Sequence, residues 1–355
     1  MPALQTSGTG NADEKILVVG PSWVGDMVMS QSLYIFLQNT RSDLSIDVLA
    51  PAWSEPLLAR MPQVNRALTL PVGHNELGIG RRVKLGRTLK AVNYDQAILL
   101  PNSFKSSLVP FFAGIEKRTG WRGEMRYGLL NDVRHLKEAL LPLMVERFVA
   151  LGQAPNAPMP EQLPPPQLVV DKDEALRCAE KFNFDLSRPI LALCPGAEFG
   201  AAKRWPPEYY GEIASAYLSE GWHVVLYGSA KDQAVTGEIY AATGAHAACL
   251  DLAGHTSLAE AVDLLSLSRA VVSNDSGLMH IAAALQRPVV VVYGATSPSF
   301  TPPLCPDSEM LVSEIECAPC FERECPLGHH RCMRDALPAQ LRIKLEALLA
   351  RTYPA

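Results

Sequence analysis

No apolar run in this chain reaches the roughly 18–20 residues that a membrane-spanning helix needs, so a helical span is excluded. Basic residues are in deficit: 32 Lys and Arg stand against 37 Asp and Glu, a formal net charge of -5, with no long basic block. That balance excludes general nucleic-acid binding. Residues 1–14 are polar and lack the hydrophobic segment of a signal peptide. The expectation is a frayed extension on a cytoplasmic protein whose thiols stay free. The first strand-end loop lacks the Gly-x-Gly-x-x-Gly spacing of a dinucleotide site, which counts against a nucleotide-sugar epimerase or another dinucleotide enzyme. No Asp-x-Asp follows a strand, because Asp171-Lys-Asp173 sits beside a linker. A catalytic divalent ion is therefore not required.

What is present suits a globular α/β protein. The 355 residues suffice for two domains, and 48% are hydrophobic against 19% charged. Apolar runs at Lys15–Gly20, Leu44–Leu49, Leu68–Leu70 and Tyr94–Leu100 read as strands, with a helix from Asp26 to about Gln38. The basic stretch Arg81–Lys90 reads as an exposed helix face. Residues 152–168, rich in Pro, Ala and Gln, mark a linker. Strands resume at Pro189–Leu193, Trp222–Tyr227, Ala270–Ser273 and Pro288–Tyr293. A last amphipathic helix, Pro338–Ala350, offers Leu341, Leu345, Leu348 and Leu349 for packing. Alternating strands and helices predict parallel sheets covered on both faces. The expected division is a domain over 15–168, a second over 169–337, and a helix at 338–355 returning to the first.

Ligands of open α/β sheets bind outside the carboxyl ends of the strands. In Gly20-Pro-Ser-Trp-Val-Gly25-Asp26, Asp26 is either a helix-start carboxylate or a base facing a cleft. In Cys194-Pro-Gly-Ala-Glu198-Phe-Gly-Ala-Ala-Lys203-Arg204-Trp205, Lys203 and Arg204 are either solvated charges or cations suited to a diphosphate. Asp232, after the strand ending at Tyr227, is a helix cap or an acceptor for ribose hydroxyls. Asp275, Ser276, Gly277 and His280 stand where a strand gives way to a small-residue helix, a place that favours anions. His280, read alone, is equally a structural histidine. Thr296 and its small polar neighbours lie at another strand end.

Taken in order, these segments, with Leu100-Pro-Asn-Ser-Phe-Lys105-Ser and Arg118-Thr-Gly-Trp-Arg-Gly-Glu-Met-Arg-Tyr-Gly-Leu-Leu-Asn-Asp132, closely resemble the lipopolysaccharide heptosyltransferases. The resemblance implies a GT-B architecture, two Rossmann-like domains whose parallel sheets face a central cleft. It implies an inverting glycosyltransferase that moves L-glycero-D-manno-heptose from ADP-heptose to the first heptose of the inner core. By similarity Asp26 matches the base, Lys203 the group at the donor phosphates, and Asp275, Ser276, Gly277 and His280 the donor-phosphate segment. Asp232 aligns less closely with an acidic residue at the ribose. The implied acceptor is a heptosylated Kdo-lipid A, which would bring a cytoplasmic monomer to the inner-membrane surface without any cofactor requirement. Lys105, Arg118, Arg122 and Arg126 are candidates for acceptor contact.

One cluster stands apart. Cys317-x2-Cys320-x4-Cys325-x6-Cys332 could bind structural zinc, with His329 and His330 nearby, or could be reduced packing residues or disulfides. The resemblance assigns it no metal.

Overall fold

The computed structural model describes residues 14–73 and 76–354. Residues 1–13 of the polar tail lie outside them. Six strands form the first sheet: β1 (Glu14–Val19), β2 (Leu44–Ala50), β3 (Val64–Thr69), β4 (Gln96–Leu99), β5 (Lys117–Trp121) and β6 (Asp132–Arg134). Six more form the second: β7 (Ile190–Cys194), β8 (His223–Leu226), β9 (Cys249–Asp251), β10 (Ala270–Asn274), β11 (Val289–Tyr293) and β12 (Ser308–Val312). Ile16 to Val19 and Val289 to Tyr293 are buried without interruption, as expected of strands covered on both faces.

Every strand pairing is parallel. The orders are β3-β2-β1-β4-β5-β6 and β12-β11-β10-β7-β8-β9. Counted from its own first strand, each sheet reads 3-2-1-4-5-6, the doubly wound order. Winding reverses between β1 and β4 and between β7 and β10, and ligand crevices open outside the strand ends at such points. The segments that follow β1, β7 and β10 carry Asp26, Lys203 and Asp275, so the topology brings these residues to the same crevices.

The helices are α1 (Val24–Thr40), α2 (Glu55–Leu58), α3 (Ile79–Leu89), α4 (Leu108–Phe112), α5 (Met144–Gly152), α6 (Lys172–Lys181), α7 (Pro207–Ser219), α8 (Gln233–Ala242), α9 (Leu258–Ser266), α10 (Gly277–Ala284), α11 (Arg331–Arg334) and α12 (Pro338–Thr352). The two lobes meet where α1 packs against α10. Two glycines permit that approach. A Cβ on Gly25 would stand 2.7 Å from the His280 ring, and one on Gly277 would stand 2.7 Å from Val24. A single apolar cluster continues through the seam, from Ile16 and Met27 to Met279 and Val291.

The linker is sewn along this seam. Gln167 N donates to Gln31 Oε1 at 2.8 Å, Leu168 N to Ala284 O at 3.0 Å, and Val169 N to Arg60 O at 2.9 Å. One expectation is corrected: α12 does not return to the first lobe. It packs on β11, β12 and α7, burying Leu341, Leu345 and Leu348 completely. Its apolar stripe finds its partners in the second core, and Arg342–Glu220 (2.6 Å) and Arg351–Glu309 (3.2 Å) hold its rim there.

Candidate active site

Residues of the site converge because short loops leave buried strands. After β7 the chain passes through Pro195 and Gly196 to the single turn Ala201–Lys203. The fully buried Asn274, last residue of β10, ties this loop down. Its Nδ2 donates to Pro195 O at 2.6 Å, while its Oδ1 accepts from Trp205 N at 3.1 Å and Tyr210 OH at 3.0 Å. Lys203 is thereby carried to the end of β10. Its Nζ lies 2.6 Å from Asp275 Oδ2, and the same oxygen accepts from Thr296 Oγ1 at 2.7 Å. The Lys203 ammonium also sits 5.0 Å over the Phe199 ring.

From the other lobe comes Asp26, in the first turn of α1. The N-cap position belongs to Trp23. Burial pushes the Asp26 carboxyl up to about 6, opposed by Lys203 and reinforced by the negative Asp275. The three charges therefore form one electrostatic group drawn from both lobes. Helix α10 adds the N–H groups of its first turn, which have no partner inside the helix and favour an anion. Ser276 holds its N-cap position, with its hydroxyl 3.2 Å from that of Ser273.

His280 lies at the seam between the lobes. It is buried against Gly25, and burial pushes its imidazole down to about 4, with Asp275 opposing and Lys203 reinforcing the shift. It is therefore neutral near neutral pH and forms part of the lobe contact. Asp232 is engaged in shaping its loop. Its Oδ2 accepts from Ser229 N at 2.9 Å and Ser229 Oγ at 2.8 Å, a capping box. Arg204 reaches within 3.9 Å of the other oxygen. Gly196 is required opposite it, since a Cβ there would meet the carboxyl carbon at 2.8 Å.

The four candidate acceptor cations do not share one situation. Arg126 is buried, donating to Pro101 O (2.8 Å), Ser106 Oγ (3.3 Å) and Trp121 O. Arg118 spends its guanidinium on Leu129 O (2.6 Å) and Ile115 O. Both brace backbone that a side chain must satisfy. Arg122 is exposed, and Lys105 is partly so. Trp121 is buried, its indole N–H donating to Arg147 O at 3.1 Å, whereas Tyr127 is exposed.

Two structural contributors carried no separate weight in the sequence reading. Asn274 was one letter of a motif, yet it joins two loops; an amide at the end of an apolar strand was its only signal. Gly25 was read as part of a loop, and its need for smallness arises only when α10 arrives beside it.

The cysteine segment lies against the loops that carry Ala202 and Ala295. Cys317, Cys320, Cys325 and Cys332 face one cavity, all as free thiols.

Known proteins share much of this sequence and its fold. A family model described as glycosyltransferase family 9 (heptosyltransferase) matches residues 82–331. Lipopolysaccharide heptosyltransferase 2 of Escherichia coli K12 is 51% identical over 94% of this chain and 98% of its own. Lipooligosaccharide heptosyltransferase 2 of Haemophilus ducreyi is 46% identical over 95% of this chain and 99% of its own. The solved structure of E. coli ADP-heptose LPS heptosyltransferase II superposes with a TM-score of 0.86 at 49% identity, covering 95% of this chain and 99% of that one.

Proposed function

Because the chain belongs to glycosyltransferase family 9, the heptosyltransferases, we propose a division of labour between its lobes for heptosyl transfer. The enzyme is a heptosyltransferase of lipopolysaccharide core synthesis with the GT-B fold and an ADP-heptose donor. In the proposed mechanism the second lobe, 169–337, grips the ADP moiety, and the first, 15–168, receives the heptosylated Kdo-lipid A acceptor. The observation that carries this reading is the charge group Asp26, Lys203 and Asp275, assembled from both lobes at strand carboxyl ends.

Asp26 serves as the base. A carboxylate raised to about 6 is still ionised at neutral pH, yet holds a proton better than an exposed one. It takes the proton of the acceptor hydroxyl as that oxygen attacks the anomeric carbon. The bond to the diphosphate breaks on the opposite face, and its electron pair leaves on the β-phosphate oxygen of ADP. Attack from the far side inverts the anomeric centre. Lys203 and the first turn of α10 meet the charge that develops on the leaving oxygen. Asp275 cannot bind a diphosphate directly, because like charges repel; it fixes Lys203 and Thr296 instead. The neutral His280 keeps α1 seated on α10, so the base and the donor grip are held in register.

No helix among the described residues is long and apolar enough to cross a membrane. In this proposal a monomer meets the inner-membrane surface through its lipid-linked acceptor. The test is a transfer assay with ADP-heptose and a mono-heptosylated acceptor, with the product linkage determined. Asp26→Ala should abolish transfer and leave ADP affinity nearly intact. Unchanged turnover would remove Asp26 from the role of base.

A further inference from the structure

The transfer chemistry makes no use of the segment between β12 and α12, yet that segment is built around sulfur. Cys317, Cys320, Cys325, Cys332 and His329 line one small cavity of about 20 Å³. That volume suits a single ion or water and no organic ligand. The turn that follows Cys325 closes with Gly328 N to Cys325 O at 3.0 Å and needs φ +69° at Gly328. His329 Nδ1 accepts from Arg331 N at 3.0 Å, which leaves the ring proton on Nε2, 4.0 Å from the Cys317 sulfur.

The same segment supports the donor-side loops from behind. Arg323 O accepts from Ala202 N at 3.0 Å, and Gly200 is pressed so close that a Cβ would lie 2.2 Å from that oxygen. Phe321 N donates to Ala295 O at 2.7 Å. The Arg323 guanidinium lies 5.4 Å from the Phe199 ring that Lys203 also covers. Ala202 and Ala295, the chain neighbours of Lys203 and Thr296, form part of the cavity wall.

We propose that Cys317, Cys320, Cys325 and Cys332 bind one thiophilic divalent ion, zinc or iron, and that this ion splints the loops carrying Lys203 and Thr296. Among the described residues no group of three or more His, Cys, Asp or Glu side chains already stands arranged for a metal. The sulfurs reach a common ion by turning about their Cα–Cβ bonds within the cavity they share. Each thiol gives its proton to solvent as its bond to the ion forms, and no electron is transferred. Soft sulfur ligands in tetrahedral array select zinc or iron over magnesium or calcium.

The metal claim stands independently of the donor reading; only the splinting claim rests on it. Protein purified under reducing, chelator-free conditions should carry about one equivalent of metal by mass spectrometry, which also tells zinc from iron. Stripped protein titrated with Co²⁺ should develop sulfur-to-cobalt charge-transfer absorption, a readout that needs no variant. Cys325→Ser should lose the metal, and Cys305→Ser, outside the cluster, should keep it. Stripping should speed amide hydrogen exchange at residues 195–203 without changing exchange in β1 and β2. Three results overturn the proposal: no uptake or cobalt band after reconstitution, a Cys325→Ser variant as fully loaded as wild type, or disulfides in the reduced preparation. Exchange at 195–203 that ignores stripping overturns the splint. Intact splinting with no ADP binding would instead count against the donor assignment.

Discussion

Burial moves Asp26 up to about 6 and His280 down to about 4, so near neutral pH the first is a carboxylate and the second an uncharged ring. The kcat/KM for transfer should therefore climb as pH rises through about 6 and level off above 7. A profile flat from pH 5 to 8 would contradict a base at this position. The shift also has a cost in stability. A carboxyl whose folded pKa lies above its unfolded value penalises folding when ionised; the penalty is full above about pH 6 and gone below about 4. Asp26→Asn should thus stabilise the protein at pH 8 by on the order of 1–3 kcal/mol, a gain that fades on acidification, measured by denaturant unfolding at both pH values. Lys203→Ala has the opposite sign. It strands the buried Asp275 without its partner and should cost about 3–5 kcal/mol while weakening ADP binding. Adding Asp275→Asn should recover much of the stability but not the affinity, a separation that a double-mutant cycle with ADP titration reads directly. Asp26 and Lys203 stand out in the sequence because each follows closely on an apolar run, Asp26 in the first turn of α1 and Lys203 in the turn after β7. The pairing of Lys203 with Asp275 does not, since 72 residues separate them and only the order of β7 and β10 joins them.

Among the strands, those with a buried apolar run are the readable ones. β1, β7, β10 and β11 announce themselves. β5 reads Lys-Arg-Thr-Gly-Trp, and its place in the sheet comes from its neighbours β4 and β6 rather than from its composition. Arg118 and Arg126 read as candidates for acceptor contact; the backbone they satisfy exists only once the strands around them are laid down. Helix α1 raises the most testable point at this scale. Gly25→Ala drives a methyl group into the His280 ring and should lower stability by about 1–3 kcal/mol, with a larger loss of transfer than of ADP affinity. Combining it with His280→Ala should restore the melting temperature in part. Thermal unfolding of the three variants checks this.

Across the whole molecule, one winding order occurs twice in a single chain. Order is set by which strands neighbour one another, and many sequences satisfy it. The second helix of consequence, α12, could be predicted as amphipathic, but the surface that would cover it could not. The lobes are bound by more than a linker. Arg60, between α2 and β3, reaches Asp263 on α9 at 2.6 Å and the carbonyls of Ala259 (3.3 Å) and Pro56 (2.8 Å). With Asp263 almost fully buried, Arg60→Ala should cost about 2–4 kcal/mol. Calorimetry should show one unfolding transition for the wild type, because a single apolar cluster spans the seam, and a broader or divided one for the variant.

The meeting of α1 with α10 constrains how the two lobes can move. A body turning about a point displaces its parts in proportion to their distance from it, and Gly25, the chain neighbour of Asp26, lies at that contact. Under the proposed roles, a rocking about this seam would part the outer loops of the lobes further than it parts Asp26 from Lys203, so a bulky glycolipid could enter and leave while the spacing between those two is kept.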